Sequence, residues 1–70
     1  MHTLTINGSE KQFPKGRLPR TIADLLSELN INAATVVAEV DGQIVERGNF
    51  SVTKLYSGQK IELIRFVGGG

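Results

Sequence analysis

Hydrophobic and polar residues alternate from the start: Leu4 and Ile6 stand among Thr3 and Thr5, the period of two that suits a half-buried strand. Asn7-Gly8 follows at once, a pair that favours the positive φ angles of a type I′ hairpin turn. A returning strand is predicted over about Lys11–Phe13, with Pro14 and Gly16 ending it. The period then changes. Ile22, Leu25, Leu26 and Leu29 fall at i, i+3, i+4 and i+7, one apolar stripe along a helix. Thr21 is placed to cap the helix N-terminus, and Asp24 to favour its positive end. Asn30 supplies the stop, with Ile31 free to pack back over the last turn.

Thr35–Val40 is rich in β-branched residues and reads as a buried strand. Asp41-Gly42 is a second hairpin signal, with Ile44 and Val45 on the return. Arg47-Gly48-Asn49 reads as a turn, and the pattern assigns no element to residues 50–57. Ser57-Gly58 marks a third turn before a last strand over Lys60–Val67. The order β-β-α-β-β-β is an α+β architecture: a mixed sheet of four to five strands on one main helix. A β-grasp, with the last strand central beside the first, accommodates that order. The predicted division is a single domain over residues 1–67 and a flexible glycine tail over 68–70.

The last strand is apolar on both sides. Ile61 and Leu63 point one way, Ile64 and Phe66 the other. Such a strand is either covered on both faces or presents an apolar patch to solvent. With one helix available to cover the sheet, Ile64, Phe66 and the adjoining Val67 become candidates for partner docking. The alternative is burial of Ile64 and Phe66 beneath the loop of residues 50–57.

Composition narrows the chemistry. With 70 residues, 40% of them hydrophobic, the chain has material for one small core and no second domain. It contains no cysteine, which excludes disulfides, thiolate catalysis and cysteine–zinc sites. His2 is the sole histidine and lies near the terminus, so a histidine metal cluster is excluded as well. Asp24 and Glu28 lie at i, i+4 on the predicted helix, where like charges on a solvated face explain them better than a metal pair. No acid–base constellation emerges, and the chain does not read as an enzyme. A long apolar run and a signal-peptide pattern are both missing, so a cytoplasmic location with no membrane partner is expected.

The charge total of +1 hides an uneven distribution. Residues 1–20 are net +3 and residues 47–70 net +3, while residues 21–46 carry five acids and no base. This pattern fits solvated faces, or a basic and an acidic surface that steer a partner. The pI is moderate and basic residues are not interleaved with exposed aromatics, so no nucleic-acid partner is expected.

The chemistry is concentrated at Phe66-Val67-Gly68-Gly69-Gly70. Three consecutive glycines carry a high entropic cost of ordering, and no regular structure favours them. Four residues beyond Phe66 can reach roughly 14 Å at about 3.5 Å each, far enough to enter another protein's active site. A carboxyl on Gly70 would be ionised at neutral pH and a poor electrophile, so chemistry there requires activation, most simply by ATP to an acyl-adenylate. A sulfur nucleophile could then displace AMP.

In these stretches the chain resembles the ThiS-type sulfur carriers of thiamine biosynthesis, a ubiquitin-like β-grasp family. The similarity runs through Leu4–Gly8, Thr21–Leu29, Val36–Val45, Arg47 and Gly58–Gly70, with Ile61–Gly70 the most specific part. It implies a protein co-substrate without a bound cofactor. Gly70 would carry the adenylate and then the thiocarboxylate, while Gly68 and Gly69 thread into partner sites. The partners implied are a ThiF-class adenylating enzyme that uses ATP and magnesium, a sulfur donor such as a cysteine desulfurase, and a thiazole synthase of the ThiG class. The small subunit of molybdopterin synthase shares the fold and the glycine chemistry, but usually carries prolines where this chain has Arg65-Phe66-Val67. A protein-conjugating modifier and a β-grasp RNA-binding module are the further alternatives.

Overall fold

The computed structural model describes residues 2–66. The first hairpin joins β1 (His2–Ile6) to β2 (Ser9–Phe13), antiparallel, with Ile6 opposite Ser9 and His2 opposite Phe13. Asn7 and Gly8 both take positive φ, at 50° and 82°, as the type I′ turn requires. The return strand begins two residues before the position predicted from its apolar end. Its first four residues are exposed and polar, so pairing with β1 rather than burial defines them.

Helix α1 spans Ile22–Glu28 and buries Ile22, Leu25 and Leu26. Its N-terminus is closed by several acceptors. The Thr21 hydroxyl oxygen accepts the Asp24 N–H at 3.2 Å, while the Ile22 and Ala23 N–H groups donate to the carbonyls of Thr53 and Phe50. The C-terminus ends on Asn30 at φ 56°. The Ile31 N–H returns to the Leu26 carbonyl and the Asn30 N–H to that of Ser27, the paired bonds of a Schellman motif.

The second hairpin joins β3 (Val36–Val40) to β4 (Gln43–Val45) through Asp41 and Gly42, at φ 50° and 84°. Strand β3 starts one residue later than predicted, because Thr35 closes a short 3-10 turn over Ala33–Thr35. The Asn32 side chain caps that turn by accepting the Ala34 N–H at 2.9 Å. Residues 50–57 are not a free loop. After a 3-10 turn over Arg47–Asn49, Phe50 and Leu55 are driven into the core, and the Leu55 N–H donates to the Arg20 carbonyl at 2.8 Å. This segment supplies acceptors to the start of α1, which is why no period of its own marks it.

Strand β5 (Lys60–Arg65) completes a five-stranded sheet of order β2-β1-β5-β3-β4. It lies centrally, parallel to β1 and antiparallel to β3. The fold is therefore an α+β ubiquitin-like β-grasp. One core lies between the sheet and α1, built from Leu4, Phe13, Leu25, Leu26, Ala38, Phe50 and Ile61 among others. Among the described residues, no helix is long and apolar enough to cross a membrane.

Candidate functional site

Side chains alternate along β5, and the two rows meet different surroundings. Ile61 is 0% and Leu63 7% exposed, whereas Ile64 is 51% and Phe66 50% exposed. The loop of residues 50–57 covers the core side, so of the two expectations for Ile64 and Phe66 the structure shows the exposed one. Ile64 lies on the sheet face opposite α1, and Phe66 follows just past the end of β5. Val67 and the predicted tail Gly68, Gly69 and Gly70 lie outside the described residues.

The cross-strand register extends the exposed row. Val37 is directly opposite Ile64, and Glu39 is directly opposite Glu62 on one side and Ile44 on the other. Ile44 is 69% exposed. Val37, Ile44 and Phe66 line a shallow groove with Ala33, Val36 and Val45, and Arg47 stands at its border. The result is an apolar strip across β4, β3 and β5, bordered by the acidic side chains of Glu39 and Glu62. It lies where β5 leads toward the glycines.

Charged residues elsewhere are mixed. Arg17 and Arg20 share one groove with Asp24 and Glu28, so the helix side does not form a surface of one sign. Within the described residues, no cluster of three or more histidine, cysteine, aspartate or glutamate side chains could hold a metal.

Val37 and Ile44 belong to the apolar strip but were not singled out by the chain pattern. The signal was present. Strand alternation puts Val37 opposite in sense to Val36 and Ala38, and a two-residue turn at Asp41-Gly42 then sets Ile44 beside Glu39.

With this geometry in place, comparison with known proteins is specific. The sequence matches the ThiS family over residues 4–70. The chain belongs to the ThiS family. It is similar to the crystal structure of the thiamine biosynthesis protein ThiS from Geobacter metallireducens, with a TM-score of 0.81 and 33% identity, covering 97% of this chain and 99% of that one. The solution structure of a thiamine biosynthesis protein from the same organism superposes with a TM-score of 0.78 at 33% identity, covering 97% of this chain and 87% of that one. A thiazole synthase of Paramagnetospirillum magneticum strain AMB-1 is 33% identical over 67 residues, 96% of this chain. The chain spans 20% of that relative's length.

Proposed function

We propose that this ThiS-family chain is a sulfur carrier for formation of the thiazole of thiamine, acting as a protein co-substrate rather than as a catalyst. The observation that carries the reading is the family match, which runs through Gly70 and so includes all three glycines. In this reading a carboxylate oxygen of Gly70 attacks the α-phosphorus of ATP on a ThiF-class enzyme, and pyrophosphate leaves. Sulfide, or a persulfide from a donor such as a cysteine desulfurase, then attacks the acyl carbon. AMP departs with the bonding electrons, leaving a thiocarboxylate; with the persulfide route, a thiol must also cleave the resulting S–S bond, supplying two electrons and being oxidised to a disulfide. ATP and magnesium belong to the activating partner, and the carrier needs no resident cofactor.

The acceptor proposed is a thiazole synthase. Support comes from the Paramagnetospirillum protein of that name, which holds a segment similar to this chain within a much longer polypeptide. The apolar strip of Ile44, Val37, Ile64 and Phe66 is the proposed docking face. Burying it would let Gly68 and Gly69 thread into the partner while Gly70 reaches the reacting groups. Removal of Gly70 tests the site: the shortened chain should take up no sulfur from the activating system while its circular dichroism and thermal midpoint stay unchanged. Sulfur uptake by the shortened chain would overturn the assignment of Gly70.

A further inference from the structure

The two hairpin turns do more than reverse the chain, because the first residue of each reaches β5. The Asp41 carboxylate accepts the Lys60 N–H at 2.9 Å, at the beginning of the strand. Asn7 acts at its middle. Main-chain pairing between β1 and β5 covers Thr5↔Lys60 and Ile6↔Ile61, after which the Asn7 N–H donates to the Ile61 carbonyl at 2.9 Å. There β1 turns away into the hairpin. The next rung is made by the Asn7 side chain: its Oδ1 accepts the Leu63 N–H at 2.7 Å, and its Nδ2 donates to the Leu63 carbonyl at 3.3 Å. A carboxamide is shaped like a peptide unit, so it substitutes for the missing strand.

On its other side β5 remains paired with β3, and the Phe66 N–H donates to the Thr35 carbonyl at 3.1 Å. The strand is thus held from both sides as far as Leu63, three residues before Phe66. We infer that Asn7 is a positioning residue for the carrier reaction, fixing the line along which β5 delivers the glycines to a partner's active site. This rests on the sulfur-carrier reading. It requires a residue that both tolerates φ 50° and offers a donor and an acceptor, which asparagine does and glycine does only in part. With the apolar strip docked on a partner, a displacement of β5 carries Phe66 and the point from which the tail sets out, and a misplacement of about 1 Å at a reacting centre can cost about a hundredfold in rate.

The test compares Asn7→Gly with wild type and with Ser57→Ala. Asn7→Gly keeps the positive-φ turn and removes both bonds to Leu63. Ser57→Ala removes a hydrogen bond of similar kind, from the Thr3 N–H to Oγ at 3.1 Å, without touching Leu63. Amide hydrogen exchange and steady-state loading by a ThiF-class enzyme, with sulfide as the sulfur source, are measured for each. In Asn7→Gly the Leu63 amide should lose protection beyond any global change, and kcat for loading should fall at least about tenfold with KM nearly constant. Asn7→Asp, which keeps the acceptor for the Leu63 N–H, should recover part of kcat. Ser57→Ala should load at the wild-type rate. Wild-type kcat in Asn7→Gly, or an equal loss in Ser57→Ala, overturns the inference while leaving the carrier reading intact. A wild-type chain that takes up no sulfur overturns the carrier reading, and this inference with it.

Discussion

The two faces of the sheet are built from similar residues and meet different surroundings. On the inner face Leu4, Ile61 and Leu63 meet α1, and their removal from water drives folding. On the outer face Val37, Ile44, Ile64 and Phe66 are equally apolar, yet the last three remain at least half exposed. A 70-residue chain has little core to spare, and leaving this apolar surface uncovered gives up stability it could have used. Alternation along β5 divides one apolar strand into a row that builds the core and a row left at the surface. In the proposed carrier reading, the second row serves partner recognition.

Substitutions along residues 61–66 separate the two faces. The largest stability effect is expected on the inner face: Ile61→Ala should lose about 2–5 kcal/mol, read from urea unfolding, because it opens a cavity in the core. For a domain this small, that change removes much of the total stability. On the outer face, Phe66→Ala should cost less than about 1 kcal/mol of stability. It should weaken binding to the activating enzyme or to thiazole synthase by about tenfold or more in a calorimetric titration, as expected for an aromatic anchor. If Phe66→Ala instead unfolds the protein as readily as Ile61→Ala, the two faces do not differ in the way described. The smallest effect is electrostatic. Glu39 and Glu62 stand directly opposite one another, and Glu62→Lys should stabilise the fold by about 0.2–1 kcal/mol, with a gain that shrinks as salt is added.

Much of the architecture was legible because local signals agreed with one another. Asn7-Gly8 and Asp41-Gly42 marked both type I′ turns, and the spacing of Ile22, Leu25 and Leu26 marked the buried stripe of α1. Thr21 and Asn30 marked its ends with the chemistry that the structure uses. Residues 50–57 were not legible. Phe50 and Leu55 enter the core from a non-periodic segment whose main-chain carbonyls serve the helix N-terminus, and carbonyls leave no trace in the sequence. The exposed apolar strip was half legible. The alternation of β5 exposed Ile64 and Phe66, while Ile44 and Val37 joined them only once the register between strands was known. The link from Asn7 to Leu63 was hidden altogether, since it joins residues 56 apart and the Asn-Gly pair was already explained by its turn.

If sulfur travels on Gly70, intact-protein mass spectrometry of the loaded chain will register it. The chain is incubated with magnesium-ATP, a ThiF-class enzyme and a sulfur donor, beside a control without ATP, and the products are fragmented. The expected product shows an ATP-dependent mass gain equal to sulfur replacing one oxygen, localised to Gly70. An unchanged mass, or a gain on any other residue, would contradict sulfur carriage on Gly70.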